Sequence, residues 1–350
     1  MLLEGIFPAV TTPFFADGQL YLHKLEQNVA RYSKTAAAGL VVLGSTGEAV
    51  MLNDEESREV LRAAAGAAAP EKVLIAGVGR ESVIATLKMA DVAAEAGYDA
   101  VLVRTPHFYG PQLTPLAMLT FFRTVADRSS LPVILYSIPK FTHYDLPVAV
   151  IAELAHHPNI LGLKDSSGNV ARIAEVAAAT SAVPKRATTV TPIFTAVTAR
   201  MQAAALESTL VAIGGRSVSM GGAATAVASS ALKTRTREVG FQVLSGSSEK
   251  LHASLAAGAS GAVMAMAACA PQACHEVYVA WKEKDEPLAE EKQQRLIAPS
   301  IYVAGTLGIA GVKYACDLNG YYGGRARLPL LPLDAEQQAE VARQMQDLRN

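Results

Sequence analysis

The ten residues Gly39-Leu40-Val41-Val42-Leu43-Gly44-Ser45-Thr46-Gly47-Glu48 decide the fold. Four consecutive aliphatic side chains run straight into a loop of glycines and hydroxyls. A strand that is greasy on both faces is covered on both faces, as in a parallel sheet flanked by helices. The pattern recurs along the chain, and strands are expected at 5–14, 39–48, 72–79, 99–106, 131–139, 160–167, 241–247 and 261–269. Ala-rich segments of helical period separate them, such as 53–69, where Asp54 and Glu55 favour a helix N-terminus. Eight strand–helix units predict a (β/α)₈ TIM barrel rather than an open doubly wound sheet. The open sheet would carry a Gly-x-Gly-x-x-Gly fingerprint after its first strand, and none stands there.

Length and composition fit that reading. A barrel takes most of the 350 residues, and three further helical stretches follow it. The expected division is a barrel over 1–283 and a C-terminal helical domain over 284–350. An insertion over 181–238, between the sixth helix and the seventh strand, is rich in Ala, Thr, Ser and Gly. One helix near 194–206 and a flexible remainder are expected there, on the face opposite the catalytic loops. Apolar residues at 51% against 18% charged supply a large core and exclude a disordered chain. With 31 Lys and Arg against 32 Asp and Glu, the chain has no electrostatic footprint for nucleic acid or an acidic membrane. Cys269, Cys274 and Cys316 are too few for a disulfide framework. No apolar run reaches the about eighteen residues of a membrane span, and Met1 to Gly5 lacks a signal-peptide pattern. A cytoplasmic location is expected.

Barrel enzymes keep their chemistry at the C-terminal ends of strands. Those ends read Gly44-Ser45-Thr46-Gly47-Glu48, Thr105-Pro106-His107-Phe108-Tyr109, Tyr136-Ser137-Ile138-Pro139, Gly162-Leu163-Lys164-Asp165-Ser166 and Ser245-Gly246-Ser247. Lys164 follows an apolar strand, and a desolvated lysine can attack a carbonyl as the neutral amine to form a Schiff base. The alternative is a structural lysine paired with Asp165 or reaching solvent. Tyr136 is placed for general acid–base work, or else serves as a core residue. The Gly44–Glu48 loop offers N–H groups and two hydroxyls to a carboxylate. The seven histidines show no ligand spacing, so a metal-dependent aldolase is not expected.

Taken together, Gly44-Ser45-Thr46-Gly47-Glu48, Tyr136-Ser137-Ile138-Pro139 and Gly162-Leu163-Lys164-Asp165-Ser166 resemble the dihydrodipicolinate synthase/N-acetylneuraminate lyase family. The resemblance covers the chain except 181–238. It implies a homotetramer or homodimer and a class I aldolase that needs no cofactor. Lys164 would form a Schiff base with pyruvate or another 2-oxo acid, and Tyr136 would relay protons. Ser45, Thr46 and Gly47 would hold the pyruvate carboxylate, with Thr46 linked to Tyr136. Gly246 and Ser166 would lie by the substrate, and Tyr109, one residue beyond Phe108, would take the place of a tyrosine reaching the neighbouring subunit's site. Where the synthases carry an arginine after Tyr-x-x-Pro, this chain has Phe141. The runs Asp145-Leu146-Pro147, Gly308-Ile309-Ala310-Gly311-Val312-Lys313 and Gly320-Tyr321-Tyr322-Gly323-Gly324 look more like 4-hydroxy-2-oxoglutarate aldolase. The expected activity is cleavage of a 4-hydroxy-2-oxo acid to pyruvate and an aldehyde. Dihydrodipicolinate synthesis from aspartate semialdehyde, a sugar-acid dehydratase and a non-catalytic 2-oxo-acid-binding barrel are the alternatives.

Overall fold

The computed structural model describes residues 1–205 and 232–348. Its main sheet holds β1 (Gly5–Pro8), β2 (Gly39–Val42), β3 (Val73–Gly77), β4 (Ala100–Arg104), β5 (Val133–Ser137) and β6 (Ile160–Asp165). A separate hairpin, β7 (Arg186–Val190) and β8 (Arg235–Val239), precedes β9 (Gln242–Ser245) and β10 (Gly261–Met264). The main sheet is parallel throughout, in the order β1-β10-β9-β6-β5-β4-β3-β2. A bridge between Ala9 and Val41, with the Val10 N–H donating to Val41 O at 2.9 Å, closes β1 onto β2. This is the (β/α)₈ barrel the sequence predicts. Each strand is shorter than its apolar segment because the last residues of the segment turn out into the loops.

The continuous apolar runs have a direct cause. Phe7, Val41, Ile75, Leu102, Ile134 and Val263 fill the barrel interior. Their neighbours Ile6, Leu40, Val42, Leu74, Val101 and Leu135 point outward into the layer beneath the helices. Both parities are dry, so both are greasy. The helix Asp54–Ala67 begins on a capping box, in which Asn53 Oδ1 accepts the Glu56 N–H at 2.8 Å and Glu56 returns the contact to the Asn53 N–H.

The 181–238 stretch differs from expectation. β7 and β8 pair antiparallel from Arg186↔Val239 to Val190↔Arg235, a ladder between segments far apart in sequence. Phe194 is not helical; it sits in a turn at φ +62°, and the helix there covers 199–205, with the Thr198 hydroxyl accepting the Met201 N–H. The flexible remainder expected over 206–231 lies outside the described residues. The hairpin docks on the N-terminal end of the barrel. Arg237 pairs with Glu4 at 2.6 Å, the Met1 amino group donates to Thr188, and Arg186 donates to the carbonyls of Ile160 and His157. Beyond the last barrel helix, Pro271–Lys282, come the helices Glu286–Pro299, Gly308–Leu318 and Ala335–Gln344, with a π-helical segment at Ser300–Thr306. No helix among the described residues is long and apolar enough to cross a membrane.

Gly77 shows how tightly the β2–β3 seam is packed. A Cβ there would stand 1.9 Å from Leu43 O, which is backbone and cannot swing aside. Gly77→Ala should therefore lower unfolding stability by about 2 kcal/mol or more, the upper range for overpacking. Urea unfolding at unchanged m-value checks it; a change below about 0.5 kcal/mol would show that the seam yields.

Candidate active site

The C-terminal ends of β4, β5 and β6 share one level. The register pairs Arg104 with Tyr136 and Tyr136 with Lys164, so three polar side chains stand side by side where the layers below are apolar. Side chains alternate along each strand, and these three have the parity of the interior residues Leu102 and Ile134. They therefore rise from the barrel rather than into the helical layer.

Lys164 is only 4% exposed, and its Nζ lies 4.2 Å from the centroid of the Tyr136 ring. Among the described residues no carboxylate stands within salt-bridge range of it. Asp165, the alternative partner, faces the other way: Arg172 Nε donates to Asp165 Oδ2 at 2.8 Å, and the Ser167 hydroxyl donates to Oδ1 at 2.5 Å. Arg172 also pairs with Asp145 at 3.1 Å, which ties the Asp145-Leu146-Pro147 run beneath β5 and β6. The Tyr136 hydroxyl is 3.2 Å from Ser45 Oγ. The hydroxyl linked to Tyr136 is thus Ser45 and not Thr46 as expected, because Ser45 opens the 3₁₀ turn Ser45–Gly47 on the side toward β5.

That turn is held from both ends. Leu43 at φ +59° and Glu48 at φ +55° are left-handed without being glycine, at a cost of order 1–3 kcal/mol each. A 3₁₀ turn leaves its first N–H groups without partners inside the turn, here those of Ser45 and Thr46. Thr12 fixes the far side by donating to Gly47 O at 2.6 Å. The strongest restraint comes from the C-terminal helices, which sequence reasoning did not connect to the site. Glu48 pairs with Lys313 at 2.5 Å, and both side chains are fully buried. The Arg327 N–H donates to the second Glu48 oxygen at 2.8 Å, and the Arg327 guanidinium grips Glu56 with two nitrogens at 2.7 and 2.9 Å. Burial pushes the Lys313 ammonium below the ordinary lysine range, while Glu48 beside it pulls the other way.

Gly246 and Ser166 meet at the tops of β9 and β6. The Gly246 N–H donates to Asp165 O at 2.7 Å, and a Cβ at Gly246 would stand 2.0 Å from Ser166 Oγ. Phe108 and Tyr109 are 75% and 66% exposed on the loop after β4, in edge contact with each other. Neither lines the cleft that Tyr136 lines. A cleft of about 600 Å³ opens above Tyr136 and Ser45; Arg80, Arg104, His107 and Phe141 line its outer wall. Among the described residues no group of three or more His, Cys, Asp or Glu is placed to hold a metal, and Cys269, Cys274 and Cys316 are buried free thiols. Arg104 was missed in the sequence although a signal was present: a charged residue at inward parity on an otherwise apolar strand.

The geometry requires Glu48 and Lys313 together. Lys313→Met leaves a buried unpaired carboxylate and should cost about 3–5 kcal/mol, whereas adding Glu48→Gln should recover a large part of that. A double-mutant cycle by denaturant unfolding measures the coupling, and additive losses would contradict a direct pair.

Comparison with known proteins places this architecture. The model of the dihydrodipicolinate synthetase family matches residues 2–184 and 219–348. A 4-hydroxy-tetrahydrodipicolinate synthase of Methanothrix thermoacetophila is 28% identical over 99% of this chain and 98% of its own. One from Xanthomonas axonopodis is 39% identical over 51% of this chain and 58% of its own. Among solved structures, a dihydrodipicolinate synthase from Bacillus anthracis superposes with TM-score 0.79 at 23% identity over all of both chains, a likeness of fold. An Escherichia coli prophage protein of the dihydrodipicolinic acid synthase family, solved in complex with pyruvate, superposes with TM-score 0.77 at 26% identity over 99% of each chain.

Proposed function

The chain belongs to the dihydrodipicolinate synthetase family, an enzyme family of Schiff-base lyases and aldolases, and within it we propose a pyruvate-dependent aldolase that cleaves a 4-hydroxy-2-oxo acid. The observation that carries this reading is the Lys164–Tyr136–Ser45 arrangement, with the lysine nitrogen against the tyrosine ring and the phenol bonded to a loop hydroxyl. Lys164 Nζ, as the free amine, attacks the C2 carbonyl, and loss of water leaves an iminium. Ser45 and Thr46, with their N–H groups, hold the C1 carboxylate. Tyr136 takes the proton of the C4 hydroxyl as the C3–C4 bond breaks. The bonding pair moves into the iminium as an enamine, and an aldehyde departs. Protonation at C3 and hydrolysis then return the amine and release pyruvate. With 4-hydroxy-2-oxoglutarate the aldehyde is glyoxylate.

Phe141 stands at the position where the synthases carry an arginine, which places dihydrodipicolinate synthesis second and leaves any distal carboxylate to another cation. It is 55% exposed on the cleft wall, where a phenyl ring cannot make the two-point contact of a guanidinium to a carboxylate. The neighbouring Lys140 is turned away, donating to Gly305 O at 3.1 Å. The names of the relatives support the second reading, in which the same enamine condenses with aspartate semialdehyde. Exposed Phe108 and Tyr109 suit burial in a homodimer or homotetramer, in which Tyr109 would complete a neighbour's site.

Borohydride reduction in the presence of pyruvate should leave one pyruvyl adduct, on the peptide that contains Lys164, and Lys164→Ala should give none. No adduct on folded protein would sink the Schiff-base assignment. Tyr136→Phe should still trap pyruvate while lowering kcat about 10²–10⁴-fold, the usual worth of a proton-transfer group. Release of pyruvate from 4-hydroxy-2-oxoglutarate, set against consumption of pyruvate with aspartate semialdehyde, decides between the two reactions.

A further inference from the structure

We infer that Arg104 binds a distal carboxylate and makes the enzyme selective for 2-oxo dicarboxylic acids; this rests on the Schiff-base reading above. Three observations meet at this residue. Arg104 stands one strand from Tyr136 and two from Lys164, at the same level. Strands are about 4.8 Å apart, so the lysine, tyrosine and arginine span roughly 10 Å in a row. Their order matches a five-carbon 4-hydroxy-2-oxo diacid, whose C2 carbonyl, C4 hydroxyl and C5 carboxylate follow in the same sequence. A substrate with C2 on Lys164 and its C4 hydroxyl on Tyr136 points its far end at Arg104.

The second observation is how the guanidinium is held. Its polar contacts among the described residues all run through Nη1, to Glu81 Oε1 at 2.9 Å, to His107 Nδ1 at 2.9 Å and to Thr105 O at 3.2 Å. Nε and Nη2 make no hydrogen bond among the described residues, and Arg104 lines the cleft. A guanidinium anchored by one nitrogen presents its opposite edge in a fixed plane, the geometry that a carboxylate accepts with two oxygens. Glu81 does not compete for that edge. Its second oxygen accepts the His107 and Phe108 N–H groups at 2.9 and 3.0 Å. Burial disfavours the charge on Glu81, but those N–H groups and Arg104 outweigh it and hold the carboxyl below the ordinary glutamate range.

The third observation concerns the other cations of this wall. Arg80 is engaged with Ser57 at 3.1 Å and Asp54 at 3.4 Å, and Lys140 is turned toward Gly305. Phe141 opposes the anion with no charge at all. Arg104 is itself paired with Glu81, but through Nη1 alone, so among the described residues of this wall it keeps a guanidinium edge for the second acid group.

The test uses trapping on Lys164, which needs no turnover. Half-saturating concentrations for borohydride trapping are measured for pyruvate, 2-oxoglutarate and 2-oxopentanoate. The last two share a chain length and differ only in the distal carboxylate. The native enzyme should favour 2-oxoglutarate over 2-oxopentanoate by about 30-fold, which corresponds to about 2 kcal/mol. Arg104→Met should erase that preference while leaving the pyruvate value within about threefold. Arg104→Lys, which keeps a charge beside Glu81, should restore only part of it. Equal weakening of all three acids would show that Arg104 merely supports the loop and would overturn the inference, as would a preference that survives Arg104→Met. If pyruvate and the longer acids all fail to trap on native protein, the Schiff-base reading itself falls and takes this subsite with it.

Discussion

A buried carboxylate and a buried ammonium 2.5 Å apart hold the site to the rest of the molecule. Glu48 ends the loop that carries Ser45 and Thr46, while Lys313 lies on a helix more than 260 residues later. Taking both charges out of water costs several kcal/mol per ion, which their attraction repays only with good geometry and further hydrogen bonds. Those bonds are present: Lys313 donates to Arg325 O at 2.8 Å, and the Arg327 N–H donates to Glu48. The pair fixes the left-handed Glu48 and hence the direction in which the loop leaves the barrel. The C-terminal helices are thus a brace for the β2 loop, and Gly323 exists to let the brace close. A Cβ there would stand 1.8 Å from Lys313 O.

Parallel register supplies the second constraint. Once β4, β5 and β6 pair with Arg104, Tyr136 and Lys164 in line, the polar groups occupy one level without any loop having to bring them there. The next strand in the order continues the level with Leu244, so the polar arc gives way to an apolar wall. Asymmetry of this kind separates a polar side, where the Lys164 nitrogen meets the Tyr136 ring, from an apolar one.

The opposite end of the barrel is closed by different means. Gln242 accepts the Leu3 N–H at 2.6 Å and donates to Met1 O, while the β7–β8 hairpin covers the N-terminal segment through Arg237 and Glu4. Asp99 accepts the Ala199 N–H at 2.9 Å, joining the helix that lies between β7 and β8 to the start of β4. These contacts are polar links between segments distant in sequence, and they lie on the N-terminal side of the level of Lys164.

The sequence by itself determined the barrel, because strands buried on both faces must be greasy at every position, a pattern visible in Leu40-Val41-Val42-Leu43 without a structure. It also singled out Lys164, Tyr136 and Ser45, since strand ends are where a barrel exposes polar side chains. Local patterns could not show the hairpin, whose two strands pair across a long separation, nor the start of the helix at 199 rather than 194. Only the tertiary structure decided that Ser45 rather than Thr46 meets Tyr136, because the direction of a 3₁₀ turn depends on the left-handed residues at its ends. Only it decided that Asp165 belongs to Arg172, and that Glu48 reaches Lys313. Those are choices among partners of equal chemistry, and distance in the folded chain, which no local pattern records, makes them.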